Sequence, residues 1–197
     1  MIIKNAADDS EDDNVSSEVF KIHSVPTGYK HDIILDKSVN SDLSSYFELL
    51  NFLDNKVTEN DVVNLKLANY GGDLHSGVAI AHSVKNCKGT VIVHTISNCY
   101  SMAAILSLCG DALVIYPGNY LMFHNYSGGE IGKAGEIETS HKANKKCWKE
   151  YLEYFCTPFL TADEVKSIMD DKDFYFHHNA KGGKARMKRH FTNMVVN

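Results

Sequence analysis

The sequence lacks three features that would otherwise direct its reading. It has no basic excess: 20 Lys and Arg against 25 Asp and Glu give a net charge of −5, so the whole chain carries no footprint for nucleic acid. It has no cysteine pair at CxxC spacing. Its five cysteines (Cys87, Cys99, Cys109, Cys147 and Cys156) are scattered, which argues against a structural zinc site and fits small core residues in a reducing compartment. It has no apolar run long enough to span a bilayer, and Met1-Ile2-Ile3-Lys4-Asn5 does not begin the apolar stretch of a secretory signal. Two common motifs are missing as well. Gly71-Gly72-Asp73-Leu74-His75-Ser76-Gly77 does not match G-x-G-x-x-G, and no G-x-S-x-G surrounds Ser101.

What is present suits one domain with a real core: 197 residues, 44% apolar and 23% charged, with no internal repeat and no interdomain linker. Residues 1–18 form an acidic, serine-rich segment (Asp8, Asp9, Glu11, Asp12, Asp13) that buries little. Apolar patterning predicts strands near 19–22, 32–35, 61–67, 90–96, 112–116 and 120–123. Helical spacing predicts helices over 41–53, 76–84, 101–109 and 135–155. Thr161-Ala162-Asp163-Glu164 reads as a capping box opening a helix to about Met169. The repeated strand–helix order, with apolar central strands, predicts a mostly parallel α/β sheet with helices on its faces. Residues 179–197, with Lys181, Lys184, Arg186, Lys188 and Arg189, read as a basic, solvated tail.

Chemistry-bearing residues gather at the predicted strand ends. Ser101 stands at a strand-to-helix turn, where backbone N–H groups favour negative charge. For an arbitrary serine in this setting, a helix cap is the better explanation. Ala103 and Ala104 leave room around it, and the N–H of Met102 is a candidate oxyanion donor. The pair Gly71-Gly72 ends another strand. It suits a tight turn, or a backbone that a substrate carbonyl approaches closely. His124 follows the 120–123 run and has Ser127-Gly128-Gly129 behind it, so it is the candidate base for a serine hydroxyl. The carboxylate that would orient it comes from Asp170, Asp171 or Asp173, which spacing does not separate. The aromatics after Asp173 predict a chain turning inward there. The adjacent His177 and His178 do not share a face, which argues against a common metal. No metal or cofactor is expected.

Taken in order, these segments resemble the proteolytic subunit of Clp protease (the ClpP family) over about residues 31–178. Asn69-Tyr70-Gly71-Gly72-Asp73 is similar to N-S-P-G-G. Cys99-Tyr100-Ser101-Met102-Ala103-Ala104 is similar to the nucleophile segment A-A-S-M-G/A-A. Tyr116 to Asn125 with Gly128-Gly129 is similar to L-P-N-x-x-x-M-I-H-x-P-x-G-G. The region from Thr161 to Phe176 resembles the one that ends in the family's aspartate. The resemblance implies a crotonase-like β-α spiral with a protruding handle helix at about 135–155. It implies Ser101 as nucleophile, His124 as base, Asp173 as orienting carboxylate, and Gly71 or Gly72 with Met102 as oxyanion donors. It implies peptide or unfolded-protein substrates, heptameric rings that stack through the handle, an AAA+ unfoldase partner and a cytoplasmic setting. Tyr70 replaces the family's proline, residues 179–197 depart from the family's pattern, and the acidic N-terminus lacks the apolar residues that dock unfoldases. These departures are similar to those of virus-encoded relatives. The alternatives are a ring subunit with no working triad and a crotonase-type acyl-CoA enzyme. A membrane signal-peptide peptidase is disfavoured, because that class uses a lysine base where this chain has His124.

Overall fold

Four apolar stretches pair side by side in one direction. In the computed structural model, which describes residues 26–129 and 131–191, these are β1 (Lys30–Leu35), β2 (Val62–Leu67), β3 (Thr90–Thr95) and β5 (Ala112–Ile115). Their order is β1-β2-β3-β5, all parallel, with Ile33, Leu65 and Val93 aligned across the first three and Val93 against Leu113. The strand expected near 19–22 and the acidic segment 1–18 lie outside the described residues. A second sheet is built from β4 (Cys99–Tyr100), β6 (Tyr120–Phe123) and β7 (Phe174–His177), with β4 parallel and β7 antiparallel to β6.

Burial alternates along the larger sheet. Val63, Leu65, Leu67, Val91, Val93 and Leu113 are buried, whereas Ile34 and Val114 on the opposite face are exposed. Helices were expected on both faces, the usual state of a parallel sheet. Among the described residues no helix covers the second face, which carries a polar cross-strand chain instead. Asn64 donates to Asp32 at 3.0 Å, Lys66 pairs with Asp32 at 3.1 Å, and His94 Nε2 lies 3.2 Å from Asn64 Oδ1. Polar partners satisfied in this way let a sheet face meet water.

The helices are α1 (Phe47–Asn55), α2 (Leu74–Asn86), α3 (Met102–Leu106), α4 (Ala134–Cys156), α5 (Ala162–Met169) and α6 (Gly183–His190). The helix expected over 41–53 is split. Asp42 caps a 3₁₀ turn over Leu43–Tyr46, and α1 starts only at Phe47. The expected box opens α5: Glu164 N–H donates to Thr161 Oγ1 at 3.3 Å and Thr161 N–H to Glu164 Oε2 at 2.8 Å. In α4 the buried residues, Trp148, Leu152, Phe155 and Cys156, all fall in the second half. The first half is exposed almost throughout.

The basic C-terminal stretch is not a solvated tail. Residues 183–190 form α6, and Arg186 is drawn inward by a fork of bonds to Glu164 (both 2.7 Å) and one to the Phe159 carbonyl (2.7 Å). Its guanidinium also lies over the rings of Phe159, Phe174 and Phe176. His190 contacts the Leu108 carbonyl at 2.8 Å, and Phe191 is buried. Pairing and ring contacts offset the desolvation of the guanidinium, which charge count alone does not reveal.

Candidate active site

The turn after β2 is held by one buried amide. Asn69 accepts the Gly71 N–H at 2.9 Å on Oδ1 and donates through Nδ2 to the Leu35 carbonyl at 3.0 Å. Beside it, Val39 N–H donates to the Gly71 carbonyl (2.7 Å) and Asp73 N–H to the Val39 carbonyl (2.8 Å). That bridge skips Gly72, whose N–H has no partner among the described residues. Of the glycine pair, the free amide is therefore Gly72's. Both glycines need left-handed backbone, with φ of 86° and 136°. A Cβ on Gly71 would lie 2.6 Å from the Tyr100 carbonyl oxygen and 2.8 Å from both Met102 N and Ser101 Cβ. The turn thus sits directly against Ser101. Asp73 then caps α2, accepting the Ser76 N–H at 2.9 Å.

Ser101 leaves β4 abruptly. Its N–H still bonds the Met122 carbonyl at 2.8 Å as a strand residue would, but its φ is 56° and α3 starts at the next residue. A non-glycine residue in this region is costly, by about 1–3 kcal/mol, and persists only where its surroundings enforce it. The two-residue β4 was not expected, because so short a strand has no periodicity to read. Met102 is buried and stands in the first turn of α3, where its N–H has no intrahelical acceptor. Cys99, two residues before the serine on β4, is buried, and burial pushes its thiol up to about 12, which disfavours the reactive thiolate.

His124 is half-buried at the end of β6. It shares with Gly72, Ser101, Met102, Gly128 and Trp148 a cleft of about 600 Å³. The candidate carboxylate Asp173 directly precedes β7. Tyr120 pairs with His177 and Phe123 with Phe174, where the ladder ends; His124 is the next residue after Phe123 and Asp173 the one before Phe174. Asp171 instead accepts from Asn125 Nδ2 at 2.7 Å, and Asp170 pairs with Lys166 at 3.3 Å. Asp173 is exposed rather than buried, because the chain turns inward only at Phe174 and Phe176. Among the described residues no hydrogen bond joins the side chains of Ser101, His124 and Asp173.

Sequence reading passed over four further residues of this region: His75, Tyr126, His141 and Trp148. The signal for two of them was present in α4, where Ile137, His141, Asn144 and Trp148 recur at steps of four, three and four and so share one face. Among the described residues no group of three or more His, Cys, Asp or Glu is placed to hold a metal ion, and no helix is long and apolar enough to cross a membrane. Residues 19–185 match the family model described as Clp protease.

Proposed function

Because the chain belongs to the Clp protease family, we propose that it is a serine endopeptidase that works through Ser101, His124 and Asp173. The observation that carries this reading is the single cleft that collects Ser101, His124 and the two unpartnered amides of Gly72 and Met102. Ser101 Oγ attacks the scissile carbonyl while His124 takes the hydroxyl proton. Negative charge builds on the carbonyl oxygen, and the N–H groups of Gly72 and Met102 receive it. The C–N bond then breaks, His124 gives its proton to the departing amine, and an acyl-enzyme remains on Ser101. Water attacks that ester with His124 again as base and frees the acid. Asp173 holds the imidazole in the required tautomer.

Peptide substrates are the class this cleft takes, and the protein acts as a homo-oligomer. Two surfaces favour assembly into rings: the open face of the β1-β2-β3-β5 sheet and the exposed first half of α4. Catalytic hydrogen bonds often tighten only with substrate in place, so the open triad of the isolated chain suits a site completed on assembly and binding. A cytoplasmic setting and an AAA+ partner belong to the same reading. A ring subunit without hydrolysis is the second reading, favoured by the missing hydrogen bond between Ser101 and His124. One experiment separates the two. The wild-type protein is expected to hydrolyse a fluorogenic peptide and to be labelled by a fluorophosphonate, and Ser101→Ala to lose both while its circular dichroism is unchanged. Equal turnover in the two proteins overturns the mechanism. Turnover and labelling absent from both favour the scaffold.

A further inference from the structure

Two glycines in a row leave the peptide plane between them free to turn over, because neither residue has a Cβ to obstruct it. The plane between Gly71 and Gly72 carries the Gly72 N–H, so its direction decides whether a donor or an acceptor faces the cleft. Its carbonyl end is tied: the Gly71 carbonyl accepts the Val39 N–H at 2.7 Å. In a trans peptide the carbonyl and the N–H point in opposite directions. The Gly72 N–H therefore points away from Val39, and Gly72 is exposed at the cleft whereas Gly71 is buried. Turned over, the plane would lose the Val39 bond and present a carbonyl oxygen where an oxyanion has to sit.

One side chain holds this turn from its other end. Asn69 is buried, its Oδ1 accepts the Gly71 N–H at 2.9 Å, and its Nδ2 donates to the Leu35 carbonyl at 3.0 Å. The Leu35 carbonyl also accepts the Ala68 N–H at 3.1 Å, so the end of β1 and the turn share one anchor. Exchanging the two ends of the amide would set donor against donor and acceptor against acceptor, so its orientation is determined by its partners. Tyr70, between Asn69 and Gly71, is exposed and makes no backbone hydrogen bond among the described residues. Among those residues no other side chain bonds to Gly71. Both polar groups of Gly71 are thus held, the carbonyl by the main chain of Val39 and the N–H by Asn69. Without the amide only the Val39 bond would resist a turn of the glycine plane.

We propose that Asn69 is a positioning residue, which keeps the Gly72 N–H in the Ser101 cleft through its bond to the Gly71 N–H. The inference rests on the peptidase reading of that cleft. Asn69→Ala loses both bonds of the amide. Asn69→Ser keeps a hydroxyl that accepts the N–H two residues on but is too short for Leu35. Both variants lose the tie to Leu35, so a merely structural role would move the two alike. The full-length proteins are assayed with a fluorogenic peptide and with a peptide boronic acid, whose tetrahedral adduct on Ser101 places an anionic oxygen in the same site. Circular dichroism gives the folded fraction. In Asn69→Ala, kcat per folded protein is expected to fall about 100-fold with KM little changed, the scale of one lost oxyanion donor, and the boronate inhibition constant to rise by a similar factor. Asn69→Ser recovers most of both. Equal kcat in the Ala and Ser variants overturns the proposal, and so does a folded Ala variant with wild-type kcat. Should Asn69→Ala not fold, the Ser variant decides: near-wild-type kcat despite the lost Leu35 bond supports the role of the Gly71 bond, and a loss of about 100-fold overturns it. A wild-type protein that neither cleaves the peptide nor binds the boronate removes the peptidase reading and the proposal with it. An active wild type whose Asn69 variants are indifferent removes the proposal alone.

Discussion

Phe123 and Phe174 form the last pair of the antiparallel β6–β7 ladder, and His124 follows the first as Asp173 precedes the second. Asp170 and Asp171 come from the same short stretch, but each is tied to another residue, Lys166 and Asn125 respectively. If Asp173 orients the base, Asp173→Asn lowers kcat by on the order of 10³-fold or more with little change in KM, because the amide favours the wrong imidazole tautomer. Asp171→Asn and Asp170→Asn lose far less. Steady-state kinetics on the three variants checks this, and a larger loss at Asp171 than at Asp173 would reverse the assignment.

Gly71 is fixed from two directions, by its left-handed backbone and by the chain of Tyr100, Ser101 and Met102 against it. Gly71→Ala is expected to cost about 2 kcal/mol or more, since φ strain and overlap with backbone atoms add and neither is relieved by a side-chain turn. The same overlap pushes on Ser101, so activity falls further than the unfolded fraction accounts for. Urea denaturation and peptide turnover on one preparation measure both. Gly72→Ala should be worse, because its Cβ would collide with the Val39 carbonyl oxygen.

The α/β fold, with its mostly parallel sheet, was legible where periodicity was long. Strands β1, β2, β3, β5 and β6 and helices α2, α4 and α5 fall where apolar spacing put them, with ends shifted by a few residues at most. What escaped notice had a physical reason. β4 is two residues long, and β7 (Phe174–His177) reads as aromatic rather than alternating. In α6, basic charge hid a helix whose anchor, Arg186, is neutralised by Glu164, a partner from a distant element. At the site, Ser101, His124 and the glycine pair announced themselves through local motifs. The candidate aspartate is set apart from its neighbours only by the β6–β7 pairing, and the candidate glycine amide only by the Asn69 hydrogen bond to Gly71. The strand pairing is long-range, and the Asn69 bond, though it spans only two residues, leaves no mark in apolar spacing.

The cysteines divide by burial. Desolvation pushes the Cys99 and Cys109 thiols up to about 12 and Cys156 well above its ordinary value, while Cys147 is exposed on α4. Thiolate is the nucleophile, so the three buried thiols resist alkylation in the folded protein. Treatment of the native protein with iodoacetamide at pH 8 is expected to label Cys147 first, and the three buried cysteines only after denaturant is added. Peptide mass mapping gives the order. Rapid native labelling of Cys99 would mean that the core around β4 is loosely packed.

Arg186 lies just past the end of the family match and ties α6 to α5 and to the Phe174 and Phe176 rings of β7. Burial by itself raises the Glu164 carboxyl, but the bonds and charge of Arg186 and the capping bond to Thr161 hold it below its ordinary value of 4.5. A carboxylate whose pKa is lowered by folding stabilises the fold fully above its unfolded pKa, and that contribution fades as pH falls through the folded value. Glu164→Gln should therefore be less stable than wild type by about 1–2 kcal/mol at pH 7, allowing for partial screening by solvent. The gap narrows as the pH is lowered below about 4.5. Arg186→Ala leaves the Glu164 carboxylate half-buried and unpaired, so it costs more, about 3 kcal/mol. Because Asp173 directly precedes Phe174 of β7, it should also lower kcat. Thermal melts of the three proteins from pH 7 to pH 3 give the comparison, and a gap between wild type and Glu164→Gln that stays constant across that range would show that the ion pair contributes nothing to folding.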